Sequence, residues 1–180
     1  MSSAEKIKHL KLIIGAVDVT QPREAWPAPS LNEGVPKGCV VELLGAKKYE
    51  WFISFLKTNP ELSCFWCERE QQVLPTALVQ RGVNLENMHF AILGENDFLS
   101  LRKIIQSQVF QAVITTQNFK DLKSLRALQL LTEKSNTTLF LANHREPSEA
   151  WPIALQMEIK SGSGSDFTID VLRRKYGRSE

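Results

Sequence analysis

From Gly38 onward, short apolar runs with strand character alternate with stretches in which apolar residues return every three or four positions. Cys39 to Leu44 reads as a first strand, ended by Gly45. Trp51, Phe52, Phe55 and Leu56 share one helical face, and Asn59-Pro60 stops that helix. Cys64 to Cys67 is a short second strand. Leu74, Ala77, Leu78 and Arg81 belong to a helix with Gly82 as its C-terminal cap. Met88 to Leu93 is a third strand, after which Asn96 or Asp97 can cap a helix carrying Phe98, Leu101, Ile104 and Ile105. Phe110 to Thr115 is a fourth strand. Phe119, Leu122, Leu125, Leu128 and Leu131 line a long helix, and Thr137 to Ala142 is a fifth strand. Strands alternating with helices of this length predict an α/β protein, a mostly parallel sheet flanked by helices on both faces. The end of the chain differs. Trp151 to Lys160 and Asp166 to Arg174 both have strand character across Ser161-Gly162-Ser163-Gly164-Ser165, which predicts a C-terminal antiparallel hairpin extending the sheet.

The N-terminal part has another character. Ile7, Leu10, Ile14 and Val17 recur at helical spacing with lysines between them. Three prolines then fall between Thr20 and Ser30, where neither a helix interior nor a central strand accepts them. Residues 20 to 38 are expected to be an extended connection. The division is therefore residues 1–37, an N-terminal helix and Pro-rich linker, and residues 38–180, the α/β domain. No internal repeat is visible.

Composition narrows the function classes. A chain of 180 residues with 43% hydrophobic and 23% charged residues is one globular domain that needs no disulfide or metal staple. The net charge of +2 argues against non-specific nucleic-acid binding as the main task, which needs a large basic surplus. Apolar stretches such as Leu12 to Val17 fall far short of the ~20 residues that span a bilayer. Glu5, Lys6, Lys8 and Lys11 near the start do not read as a secretory signal, so a cytoplasmic protein without membrane contact is expected.

Three cysteines, Cys39, Cys64 and Cys67, suit reduced thiols. A redox Cys-x-x-Cys pair belongs at a helix N-terminus, where the dipole lowers a thiol pKa. In Cys64-Phe65-Trp66-Cys67 the context is a strand, and residues three apart on a strand point to opposite faces. A zinc site wants four ligands, whereas His9, His89 and His144 are scattered without paired spacing. Plain buried cysteines are the expectation, and no metal.

The place after the first strand is where a nucleotide-binding α/β fold holds phosphate. That loop needs G-x-x-x-x-G-K-[ST], with glycines so that backbone N–H groups can cradle the anion. Here Gly45-Ala46-Lys47-Lys48-Tyr49-Glu50-Trp51 has one glycine, no hydroxyl after a lysine and an early helix start. Lys47 and Lys48 are weighed as phosphate ligands and read instead as ordinary surface lysines. H-E-x-x-H and G-x-S-x-G are absent. Glu68 and Glu70 follow the second strand at the edge where α/β sites lie. Without an acid–base partner or metal ligand they read as solvated surface, and His144, past the fifth strand, as a loop histidine. No catalytic residue and no cofactor are expected.

Several stretches resemble a RecA-type core. Gly34-Val35-Pro36-Lys37-Gly38 followed by Cys39 to Gly45 is similar to that family's Gly-x-Pro-x-Gly turn and first strand. Cys64 to Glu68 resembles its second strand and acidic region, Leu78 to Met88 its helix-to-strand stretch, and Thr138 to His144 the strand before its sensor loop. The likeness covers roughly residues 34 to 160, and it implies a RecA-like fold. The departures are the deleted phosphate loop, Val113-Ile114-Thr115-Thr116 where the family holds a magnesium-binding aspartate, and His144 at the sensor glutamine position. An ATPase is thus implied only as ancestry.

Two RecA-like families without this chemistry fit better. The ImuA family of damage-induced mutagenesis cassettes resembles the chain at Gly34 to Gly45. It does so again at Trp151 to Met157, followed by a hairpin and Val171-Leu172-Arg173-Arg174-Lys175. That resemblance implies a non-catalytic adaptor of the bacterial SOS response that supports error-prone translesion synthesis. Its partners would be a Y-family polymerase-like protein and an error-prone replicative-type polymerase, with RecA as a further candidate and only weak or indirect DNA contact. The alternative is SulA, a cell-division inhibitor that binds FtsZ, which Cys64 to Phe90 resembles about as well. The surfaces expected to meet a partner or DNA are the N-terminal helix, Trp26, and the basic set Arg173, Arg174, Lys175 and Arg178.

Overall fold

The apolar run after Gly38 forms a strand that is buried at every residue, as a strand covered on both faces must be. In the computed structural model, which describes residues 23–94, 98–119, 121–142, 146–162 and 167–175, this is β3 (Val40–Leu44). Before it come β1 (Ala25–Ala28) and β2 (Leu31–Pro36). After it follow α1 (Lys48–Thr58), β4 (Cys64–Glu68), α2 (Pro75–Gln80), β5 (Met88–Ile92), α3 (Phe98–Gln106), β6 (Ala112–Thr115), α4 (Leu122–Ser135), β7 (Thr138–Leu141), β8 (Leu155–Ser161) and β9 (Phe167–Arg174). The main sheet has the order β5-β4-β6-β7-β3-β8-β9. Its neighbours are parallel except for the antiparallel pair β8–β9. The protein is therefore α/β, with a mostly parallel sheet flanked by helices and a C-terminal antiparallel hairpin.

Strand alternation sorts the core into two halves. Val41 and Leu43 point to the face covered by α1 and α2, where they meet Phe52, Phe55, Trp66 and Phe140. Val40 points to the opposite face, with Val113 and Leu139 from the sheet, Leu101 and Ile105 from α3, and Leu125 and Leu128 from α4. Phe52 is the hub of the first half. Its ring meets Phe140 at 4.9 Å and Trp66 at 5.4 Å, both edge-on, the arrangement favoured by the aromatic quadrupole. On the second face, Asp121 caps α4 by accepting the Ser124 N–H at 2.7 Å. This cap puts Phe119 before the helix rather than on it.

The stretch expected to be an extended connection is, over residues 25–36, a hairpin. β1 and β2 pair antiparallel as a separate two-stranded sheet. Leu31 and Val35 enter the core under α1. Prolines are accepted here because both strands are edges, and a proline carbonyl still accepts hydrogen bonds. Trp51 donates its indole N–H to the Pro29 carbonyl, and Asn59 donates its amide to Pro27, each at 2.9 Å. The N-terminal helical pattern from Ile7 to Val17 and the proposed caps Asn96 and Asp97 lie outside the described residues.

The C-terminal hairpin starts later than its apolar pattern suggested, since Trp151 and Pro152 form a turn and β8 begins at Leu155. β9 carries an irregularity. Met157 pairs with Val171 but Gln156 pairs with Arg173, so Leu172 is an extra, bulged residue. The bulge sets Arg173 on the side of Gln156 and Arg174 on the side of Leu155, because paired residues of an antiparallel ladder share a face.

β3 ends at Gly45, whose φ of +87° lies in the left-handed region. A Cβ here would be driven into the Ile159 carbonyl of β8, closer than van der Waals contact allows. Gly45→Ala should therefore lower stability by roughly 1–3 kcal/mol through backbone strain and this clash. The measurement is a urea unfolding midpoint. An unchanged midpoint would mean that the turn relaxes freely.

Candidate functional site at the carboxyl edge of the sheet

Ligands of parallel α/β sheets sit outside the carboxyl ends of the strands, where the strand order reverses. In this chain the turn at that edge, after β3, is tight. Gly45 lies against β8, the Lys47 N–H donates to the Ile159 carbonyl at 3.4 Å, and α1 begins at the next residue. The tight turn brings Tyr49 over the strand ends. Its hydroxyl donates to the Ala142 carbonyl beyond β7 at 3.3 Å, and its ring stacks on Trp66 at 6.3 Å. Trp66 in turn stacks on Phe90 at 6.4 Å. Burial, and secondarily the negative field of Glu68, hold the Tyr49 hydroxyl pKa above its ordinary value, so it stays a donor. Lys47 is engaged by Glu50, with both carboxylate oxygens at 2.9 and 3.0 Å from its ammonium. Lys48 lies over the Tyr49 ring at 5.5 Å.

Glu68 corrects the sequence reading. It is not solvated surface but 4% exposed. One carboxylate oxygen accepts the Trp66 indole N–H at 3.0 Å, and the other accepts the backbone N–H groups of Gln72 at 2.7 Å and Val73 at 3.1 Å. The carboxylate folds the chain after β4 back over the aromatic layer, which is a structural task. Glu70 is exposed, as expected. At the end of β6, Thr115 and Thr116 are buried, and their hydroxyls accept the N–H groups of Gln117 and Arg69 at 3.1 and 3.2 Å. Beside this layer lies an open cavity of about 150 Å³ lined by Trp66, Glu68, Gln71, Val73, Phe90 and Ile92. Small-molecule sites usually enclose about 300 Å³ or more. His144 lies outside the described residues.

The cysteines are buried and free. Cys64 packs on the α1 face and Cys67 on the opposite one, as strand geometry requires. Burial pushes the Cys64 thiol pKa up and that of Cys39 up to about 12. Such thiols are poor nucleophiles and poor metal ligands. Among the described residues no group of three or more His, Cys, Asp or Glu is placed to hold a metal ion. Nor, among them, is any helix long and apolar enough to cross a membrane.

The basic C-terminal set divides between the two faces of the hairpin. Arg174 is turned to the β1–β2 hairpin, where it pairs with Glu33 at 2.9 Å and donates to the Gly34 carbonyl at 3.2 Å. Arg173 donates to the Ala150 carbonyl at 2.8 Å. Lys175 lies over the Trp151 ring at 5.4 Å, and Arg126 of α4 over the same ring at 4.6 Å. Arg178 lies outside the described residues.

The residue pair that sequence reasoning missed is Glu42 and Gln156. Glu42 is fully buried in the middle of β3. It accepts the Gln156 side-chain N–H at 2.7 Å and the Ser148 backbone N–H at 3.0 Å. The available signal was a lone carboxylate inside the run Val-Val-Glu-Leu-Leu. No protein-family model matches the chain, and no curated protein is significantly similar to it.

Two outcomes follow. Glu68→Ala leaves an indole and two backbone N–H groups without their acceptor and should cost on the order of 2–3 kcal/mol. Glu68→Gln, which keeps a carbonyl oxygen, should cost less. Denaturant titration together with limited proteolysis of the 69–74 segment reads both, and equal stability of Glu68→Ala and the native chain would refute the staple. For Cys39, the unfolded thiol loses its proton near 9.0 while the folded one holds it to about 12. Above pH 9.0 the folded state therefore binds more protons than the unfolded state, and stability falls as pH rises through that window. Urea midpoints above pH 9.0 should fall less steeply for Cys39→Ala than for the native chain.

Proposed function

We propose that this chain is a non-catalytic, RecA-like adaptor of the bacterial DNA-damage response that supports error-prone translesion synthesis through protein–protein contacts. The observation that carries the reading is the closed turn after β3. The place in which a nucleotide-binding α/β fold would cradle phosphate holds Gly45 against Ile159, and Tyr49 reaches from there to the Ala142 carbonyl beyond β7. The strand order, with β6 and β7 between β4 and β3, is compatible with the RecA-type resemblance of residues 34 to 160. Without phosphate chemistry, what such a fold offers is surface, and the partners in this reading are a Y-family polymerase-like protein and an error-prone replicative-type polymerase.

The deciding experiment is genetic. Deletion should abolish mutation induced by ultraviolet light, and overproduction should leave cell length normal. Filaments on overproduction with normal induced mutation would favour instead an FtsZ-binding inhibitor of division. A biochemical arm is added by thermal denaturation with magnesium-ATP. A ligand at 100 times its Kd stabilises by roughly 2.7 kcal/mol, and no such rise is expected. A saturable rise in melting temperature would overturn the adaptor reading in favour of an ATPase.

A further inference from the structure

Trp151 is a large apolar side chain left 46% exposed. Cations crowd it. Arg126 and Lys175 lie over its ring at 4.6 and 5.4 Å, and Arg173 is held beside it through the Ala150 carbonyl. The three cations repel one another. The Lys175 pKa is lowered by burial first and then by the Arg173 and Arg126 charges. Glu133, the acid whose field reaches Lys175, is itself paired with Arg23 at 3.4 Å and accepts the Gln129 amide at 3.0 Å. Arg126 is half-buried and donates to the Gln129 side-chain oxygen at 2.7 Å, and exposed leucines flank it on α4. Leu122 and Leu130, four residues before and after it on α4, are 48% and 49% exposed, and residues four apart share a helix face.

The geometry points to a docking surface for an acidic, apolar peptide segment of a partner protein, formed by Trp151, Arg126, Arg173 and Lys175 and flanked by Leu122 and Leu130. Charge complementarity supplies the acidic half of that description, and the indole with its two leucines the apolar half. A nucleic acid fits less well. Its bases need a free ring face to stack upon, whereas two cations already lie over this ring. Its phosphates have no use for the leucines. An indole flanked by arginines is also the composition in which binding energy concentrates at protein interfaces. The inference deepens the adaptor reading by naming a surface. Its test needs only purified protein, so its failure and a failure of the genetic experiment are separate results.

The probe is a fluorescently labelled synthetic peptide of Glu, Asp, Leu and Phe with its apolar residues at helical spacing, followed by anisotropy against the full chain. Two controls accompany it: the same peptide with Gln and Asn replacing the acids, and a labelled oligothymidylate. The acidic peptide should bind and weaken with added salt. The double reversal Arg126→Glu with Lys175→Glu should weaken it roughly tenfold or more, and Trp151→Ala likewise. Trp151→Phe, which keeps an aromatic ring, should restore much of the loss. Melting curves confirm that each variant is folded, and the charge reversals test the site even where Trp151→Ala is not. Equal binding of the neutral peptide, tighter binding of the oligothymidylate with the same dependence on these residues, or no peptide binding would each overturn the proposal.

Discussion

The close approach of Gly45 to the Ile159 carbonyl is the contact on which the carboxyl edge of this molecule depends. It joins the end of the central strand to its neighbour β8, at the start of the short turn, Gly45-Ala46-Lys47, between β3 and α1. Because α1 starts so soon, Tyr49 is placed on the first turn, where its ring stacks on Trp66 of β4 and its hydroxyl reaches the Ala142 carbonyl beyond β7. The rest of α1 then lays Trp51, Phe52 and Phe55 against the sheet and against the β1–β2 hairpin. A side chain at position 45 would push these strands apart and lift the aromatic layer with them.

Two carboxyl side chains are buried, Glu68 at this edge and Glu42 in the middle of β3, and each organises a connection. Burying a polar group is costly unless hydrogen bonds replace its lost water. Glu68 meets that demand with an indole and two backbone donors from the segment after β4. Glu42 draws in the Gln156 amide and the Ser148 N–H from the segment before β8. Both therefore fix irregular chain to regular strands, so the loops beside the sheet have definite positions.

The alternation of strands and helices was legible because each element has its own apolar period, two along a strand and 3.6 along a helix. Val40 and Val41, or Cys64 and Cys67, divide between faces as that arithmetic demands. The β1–β2 hairpin was not legible, because Pro27, Pro29 and Pro36 mask a strand pattern that survives only where no central ladder is required. Glu68 was misread for another reason. Its burial follows from donors supplied by Trp66, Gln72 and Val73, and no local pattern announces a hydrogen bond to a backbone that has yet to fold. The basic residues at the end of β9 were visible as a charge run, but the bulge that decides which face Arg173 and Arg174 each take is a property of the pairing with β8.

That bulge gives the hairpin a reading frame. Along a regular strand each added or removed residue inverts every side chain beyond it. Leu172 performs one such inversion, and the sequence after it is written for the inverted phase. Drawing Leu172 into the ladder opposite Gln156 would exchange the two arginines. Arg173 would face the β1–β2 hairpin and its Glu33, and Arg174 would move to the side of Ala150 and Trp151. The charges would survive the exchange, but the backbone N–H of Lys175, which now closes the ladder on the Ala154 carbonyl, would lose its register. Loss of Leu172 itself would leave both arginines opposite the same residues of β8, whereas a residue added or lost between it and Lys175 would not.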